Sequence, residues 1–364
     1  MNKQLYKLII CSVLLPFLLL GSNGDNDFTG KYTKEKTITK EFSVNSDALL
    51  KVSSSYGNIQ LTSWDKNTVA IEVTIKTNGN SESKVAERLS QIDVDFENSA
   101  SMVSAKTNFN TGSKKWWKWN NNSKIRMTVH YTIKFPKGNE LNISNDYGAI
   151  FLDRAENRAT LSCDYGTMEI GELLADHNTL NFDYSTSTVT VASMKSGKIN
   201  ADYSSFMIHT AEDIRLNADY TKSRFGTVRN IEYNCDYNNL QIDKANHVNG
   251  TGDYLSLRLG TITGNVEIVA DYGSIKIAEM TKDAGNIRIE SEYAGIKIGY
   301  QPQYYFNFEL ILEYASIKGE EDFSFNKKRV EDGERYYVGH YGSSKSNNNI
   351  TIDSEYGSVR FEKL

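Results

Sequence analysis

The chain has little cysteine and, past its first twenty residues, no long apolar run. Three cysteines in 364 residues, Cys11, Cys163 and Cys235, are too few for a scaffold held by disulfides. No segment after Leu20 is apolar enough to span a bilayer, so no transmembrane anchor is expected in the processed chain. Catalytic signatures are missing as well: there is no HExxH, no GxSxG and no phosphate loop ending in Gly-Lys-Ser or Gly-Lys-Thr. The histidines, His130, His177, His209, His247 and His340, share no register and read as isolated strand or loop residues rather than ligands. Positive charge is the minority sign, 41 Lys and Arg against 46 Asp and Glu for a net charge of −5. That balance argues against nucleic acid or anionic lipid as the main partner.

What the first residues contain is an export layout. Lys3 and Lys7 form a basic segment, Leu8 to Leu20 an apolar one, and Gly21-Ser22-Asn23-Gly24 a small and polar boundary. Residues 1–23 are therefore expected to be a signal peptide, with an apolar core too short to be a comfortable membrane span. Cys11 does not suit a lipidation site, because Leu8-Ile9-Ile10 puts no small residue before it. The protein is expected in the periplasm or at the cell surface.

Internal repetition is the dominant feature, and it decides the fold class. Tyr147, Tyr165, Tyr184, Tyr203, Tyr220, Tyr237, Tyr254 and Tyr272 each follow an Asp, and Tyr293, Tyr314 and Tyr356 each follow a Glu. Spacings run from 17 to 21 residues, except for a final gap of 42, and Ser55-Tyr56-Gly57 is an isolated early copy. Four residues before the Tyr stands an apolar side chain (Val52, Ile143, Leu161, Leu180, Ile199, Leu216), and two before it usually a small one (Ser54, Cys163, Ala201, Ala218, Cys235). Apolar residues recur three and five after it, as in Met168 and Ile170 or Ile275 and Ile277. Alternation of period two predicts a strand with one buried face on either side of a corner. A unit this short buries its apolar face only against its neighbours. The prediction is all-β: a β-solenoid, parallel β-helix-like, of roughly a dozen 17–21-residue coils stacked about 4.8 Å apart over residues 141–364.

Parity places each Tyr on the inward side as core filler, with the corner just after it, often at a Gly such as Gly57, Gly148, Gly166, Gly273 or Gly357. Tyrosine ladders also bind sugars, so a binding role is the other reading. The residues carrying the ladder are Asp146, Tyr147, Asp164, Tyr165, Asp183, Tyr184, Asp202, Tyr203, Asp219 and Tyr220. Stacked carboxylates about 5 Å apart repel one another by somewhat under 1 kcal/mol per pair in water, so an offset is required. Backbone N–H donors at the turn would supply one. In the later coils a base recurs four after the Tyr, at Arg258, Lys276, Lys297, Lys318 and Arg360, and is expected to partner the acids. A calcium site is the competing account, although the glycine-rich calcium-binding nonapeptide is absent. Cys163 and Cys235 share the small inward position four coils apart, roughly 19 Å, and cannot be bridged.

Residues 24–64 hold an N-terminal segment and the first coil, and residues 65–140 interrupt the repeat. The insertion reads as a strand over Val69–Ile75, a helix over Ser81–Gln91, strands over Ile92–Phe96 and Met102–Thr107, and a strand over Ile125–Phe135. Solenoid ends expose open strands, so a small α+β cap is expected here. Between its last two strands lies a polar loop with Trp116, Trp117 and Trp119, which suits contact with a saccharide or envelope component, or packing back on the coils.

Ser55-Tyr56-Gly57-Asn58-Ile59, the strand and helix that follow, the Trp loop, Pro136 and the Asp-Tyr-Gly coils together resemble the bacterial putative-adhesin domain of unknown function. That family is related to the head domains of putative autotransporter adhesins, and the likeness covers about residues 40–364. It implies a β-helix-like exported protein and carries over no catalytic or binding residues. The expected function is a non-catalytic, adhesin-like scaffold whose partner is a cell-surface glycan or envelope protein, with no cofactor. A polysaccharide-active enzyme on a β-helix is the alternative.

Overall fold

A computed structural model describes residues 28–110 and 125–364. The signal peptide expected over residues 1–23 and the loop with Trp116, Trp117 and Trp119 lie outside the described residues. The described chain is all-β: 25 strands join one long, unclosed and mostly parallel sheet, beside one helix.

Each repeat contributes two arms, one leading into the Tyr and one trailing from it. Successive repeats pair in parallel and in register on both arms. On the leading arm Leu161, Leu180, Ile199 and Leu216 are consecutive partners, and on the trailing arm Ile170, Val191, Ile208 and Phe225 are. The apolar columns four before and three and five after the Tyr are buried in most rungs, which follows from the alternation of side chains along a strand. After Tyr184 the trailing columns shift by two, to Val189 and Val191, and after Tyr314 Ile317 is partly buried. The small column two before the Tyr is buried too, Cys163 and Cys235 included. Both cysteines are free, and burial pushes their thiols up to about 12, where they do not ionise at neutral pH.

The corner differs from expectation. The left-handed residue is the Tyr itself, with φ between 48° and 65° in all twelve copies, whereas Gly57, Gly148, Gly166, Gly273 and Gly357 do not have positive φ. The left-handed turn breaks the parity, so the ring swings outward and the residue after it points in. Ser204, Thr221, Asn238, Leu255 and Ala294 are accordingly buried at that position.

One rung carries an unusually large side chain in the apolar column four before the Tyr. Tyr233 fills the apolar position, and Gly250, its partner on the next rung, leaves room for the ring: a Cβ there would lie 2.4 Å from it. The Tyr233 hydroxyl is buried without a hydrogen-bond partner. Tyr233→Phe is therefore expected to raise stability by roughly 1 kcal/mol, read as a higher urea midpoint at unchanged m-value.

At the N-terminal end the elements are β1 (Tyr32–Ser43), β2 (Leu49–Ser55), β3 (Ile59–Trp64), β4 (Thr68–Gly79), α1 (Glu82–Ser90), β5 (Ile92–Ser99), β6 (Met102–Phe109) and β7 (Arg126–Pro136). β2 lies between β6 and Glu140–Asp146, and β3 between β7 and Ala149–Ala155, all parallel. The insertion thus supplies an outer rung before the one that precedes it in sequence. Antiparallel strands then finish both arms, β5 on β6 and β4 then β1 on β7.

The C-terminal end repeats the device. Asn349–Glu355 and Ser358–Lys363, last in sequence, sit between Ile287–Tyr300 and the earlier pair Phe306–Glu313 and Ser316–Lys318. An antiparallel hairpin, Ser324–Glu331 with Glu334–Tyr341, closes the leading arm against Phe306–Glu313. The 42-residue gap is this hairpin, and the stacking order of the last rungs is Tyr293, Tyr356, Tyr314.

Candidate functional site

The twelve tyrosines form one continuous column. Neighbouring ring centroids are 4.6–5.2 Å apart, with planes within 10° of parallel, from Tyr56 to Tyr314. Eleven such steps make a stripe on the order of 50 Å long. The stacking foreseen for Tyr165, Tyr184, Tyr203 and Tyr220 is present, but their burial is not: apart from Tyr56 the rings are 46–58% exposed. Nine of the Tyr N–H groups donate to the carbonyl of the acidic residue on the next rung, as from Tyr203 to Asp219 at 3.1 Å, while that of Tyr314, at the end of the column, donates to the Gly333 carbonyl at 3.0 Å. That bond and two stacking neighbours hold a left-handed backbone that costs about 1–2 kcal/mol.

Because the rings stack, their faces cover one another. What reaches solvent is a row of ring edges and phenolic hydroxyls. The column ends are covered as well: Phe109 packs edge-on against Tyr56, with centroids 6.0 Å apart, and Tyr314 lies against the turn at Gly333. Sugar stacking on an open ring face is thus unavailable, while hydrogen bonding along the row is.

Beside the rings runs the acidic column. Asp183 accepts the Asp202 backbone N–H at 3.1 Å, Asp202 that of Asp219, Asp219 that of Asp236, Asp236 that of Asp253 and Asp271 that of Glu292, all at 2.8–3.1 Å. Backbone donors therefore stabilise the carboxylates. The bases foreseen as their partners do otherwise. They stand on the trailing arm, where Lys297 and Arg360 pair with Glu362 at 2.6 and 3.8 Å, and no ion pair among the described residues joins Arg258, Lys276 or Lys318 to the acidic column. Among the described residues no group of three or more His, Cys, Asp or Glu side chains is placed to hold a metal.

Two expectations follow from the ring geometry. Tyr203→Ala should cost about 1–3 kcal/mol, the worth of two stacking contacts, rather than a buried ring's larger loss. Tyr203→Gly should be milder than Tyr203→Ala by about 1 kcal/mol, because glycine adopts the left-handed conformation freely. Denaturant midpoints of both variants check the order, and Gly below Ala would show that the backbone is unstrained.

Desolvation of the stacked rings, then neighbouring tyrosines and acids, push the Tyr220, Tyr272 and Tyr356 hydroxyls above the usual phenol range. A raised phenol pKa favours the neutral, folded form, so this stabilisation is complete below about pH 10 and is lost as pH rises through the folded values. Melting temperature should hold to about pH 9 and fall above 10, and replacing Tyr220 with Phe should lessen the fall.

A second feature is an open groove of about 710 Å³ along the opposite corner, lined among others by Asp176, His177, Lys198, Asp213, Arg215 and His247. The turn before Asn178, with His177 at φ 63°, holds two residues more than the next rung between paired positions and gives Asp176 and His177 to the lining. Its carboxylates are engaged. Asp176 bonds Lys195 at 2.7 Å and Ser196 at 3.0 Å, which lowers its pKa, and Asp213 holds Arg229 and Asn230. His177 and His247 lie four rungs apart, roughly 19 Å, and do not form one centre. Sequence reasoning missed this groove, because only the extra turn residues before Asn178 mark it.

No family model matches the chain, and no curated protein matches its sequence. Several solved structures similar to it are described as putative adhesins, and one as a putative lipid binding protein. One is a putative cell adhesion protein from Clostridium sporogenes ATCC 15579, 12% identical, covering 91% of this chain and 100% of that one at a TM-score of 0.18. A putative adhesin from Parabacteroides distasonis ATCC 8503 is 10% identical over 92% of this chain and 98% of that one, at 0.34. A putative lipid binding protein from the same organism is 13% identical over 90% and 97%, at 0.29. These likenesses assign no activity.

Proposed function

We propose that the chain is an exported, adhesin-like binding scaffold of the cell envelope, a capped β-solenoid without catalysis, whose partner is a cell-surface glycan or envelope protein. The observation that carries this reading is the half-exposed tyrosine column, eleven rings at 46–58%. Tyrosine presents a rigid apolar body with a polar tip, which suits it to interfaces. A row of phenol edges this long is far more than scattered surface apolarity. Beside it the outward leading arm carries hydrogen-bonded amides, Asn217 to Asn200 at 3.1 Å and Asn200 to Asn181 at 2.7 Å. Hydroxyls, carboxylates and amides in parallel rows match the hydroxyls of an extended glycan.

The test is a glycan array with the full chain and a variant carrying Tyr203→Phe, Tyr220→Phe and Tyr237→Phe. Stacking survives that change, so melting should hold while binding falls at least tenfold. Reproducible turnover of any polymer would instead favour an enzyme.

A further inference from the structure

The basic residues four after the Tyr in the later coils are left without their expected role, and strand register places them in a row of their own. Arg224 pairs with Gln241, Gln241 with Arg258, Arg258 with Lys276, Lys276 with Lys297, Lys297 with Arg360, and Arg360 with Lys318. Six of these seven consecutive rungs carry a positive side chain at one position, about 4.8 Å from the next. The earlier rungs at that register carry Gln60, Phe151, Glu169, Thr190 and Met207. A protein of net charge −5 thus concentrates cations on one face of one half.

Acids neutralise some members of this row and leave others bare. Arg224 meets Asp243 at 3.2 Å, and Glu362 serves Lys297 and Arg360. Arg258, Lys276 and Lys318 have no ion-pair partner among the described residues and are exposed. Like charges in register repel, so the row is not there for stability.

The neighbouring outward column is uniformly small: Ser256, Ser274, Gly295, Ser358 and Ser316. Packing does not demand this. A Cβ on Gly295 would meet nothing nearer than Ser358 Oγ at 3.9 Å, whereas one on Gly260 or Gly299 would strike a backbone oxygen at 2.1 or 2.0 Å. A low shelf beside a row of cations leaves room for a chain to lie along them.

We propose that this face docks an extended acidic polysaccharide, its carboxylate or sulfate groups lying along the row from Arg258 to Lys318. This rests on the reading of the chain as a binding scaffold and names a ligand class and a face for it. Attraction between an anionic polymer and an exposed cation row weakens with salt.

The experiment measures binding of the full chain to heparin, polyglucuronate, neutral dextran and single-stranded DNA at low and physiological salt. The comparison variant combines Arg258→Gln, Lys276→Gln and Lys318→Gln. Expected are binding to an acidic polysaccharide, none to dextran, weakening with salt, and at least a tenfold loss in the variant. The variant's melting temperature should hold or rise, since repulsion is relieved. Unchanged binding by the variant, equal binding to dextran, or tighter binding to DNA overturns the proposal. If neutral glycans bind through the tyrosine column while acidic ones do not, this proposal fails and the scaffold reading stands. Polymer turnover sinks the scaffold reading itself.

Discussion

Removing residues 347–364 is expected to unfold the C-terminal end of the array while leaving the rest intact. These residues form a rung that lies between its sequence predecessors, with Ile287–Tyr300 on one side and Phe306–Glu313 on the other. Ile350, Ile352, Val359 and Phe361 are buried in it. At about 1.5–3 kcal/mol per side chain, their loss amounts to roughly 6–12 kcal/mol, comparable to the whole stability of an ordinary domain. Tyr356 also leaves the column, separating Tyr293 from Tyr314. In an array each rung depends on its neighbours alone, so damage should stop at the rung of Tyr293. Limited proteolysis should cut the truncated chain between residues 301 and 346 and spare residues 32–300. Adding a peptide of residues 343–364 should restore protection. Resistance without the peptide would mean that Phe306–Glu313 can close directly onto Ile287–Tyr300.

The limits of the sequence follow from the same geometry. Columns such as Leu161, Leu180 and Ile199 were legible because alternation on a buried face is a direct imprint of the pleat. The inserted strands and helix were legible for the same reason, each having one apolar face. The direction of the tyrosines was not. Parity assumes an extended chain, and a single left-handed residue reverses it without altering the spacing. The buried Ser204, Thr221 and Asn238 just after the Tyr were the available sign. Stacking order at the two ends was hidden because one copy of a repeat pairs as well as another. The bases were seen to recur, yet a one-dimensional register does not say that Lys276 and Asp271 belong to different arms.

Gly148→Ala is expected to cost about 3–5 kcal/mol, although it adds one methyl group at a position without positive φ. Two ways of filling the inner corner explain why. In the rungs of Ser204 and Thr221 the residue after the Tyr reaches inward: the Ser204 hydroxyl lies 2.8 Å from the Asp202 carbonyl and 3.3 Å from that of Phe182, and Thr221 lies 2.8 and 3.0 Å from those of Asp219 and Ala201. The residue two before the Tyr is then Ala201 or Ala218. In the rungs of Gly148 and Gly166 the roles exchange. The Asn145 amide donates to the Gly57 carbonyl at 2.7 Å, and the Cys163 thiol to that of Gly148 at 3.2 Å, with glycine leaving the space. A Cβ on Gly148 would stand 1.8 Å from the Gly57 oxygen and 2.9 Å from the Asn145 amide nitrogen. Rung spacing is set by the sheet on both arms, so the backbone oxygen has nowhere to move, and the amide that satisfies it is displaced. Pairing Asn145→Ala with Gly148→Ser rebuilds the arrangement of Ala201 and Ser204. It should therefore be less destabilised than Gly148→Ser alone, by an interaction energy of about 1 kcal/mol or more in a double-mutant cycle. Additive losses would mean that the two corner positions do not share one space, and the exchange argument would fail.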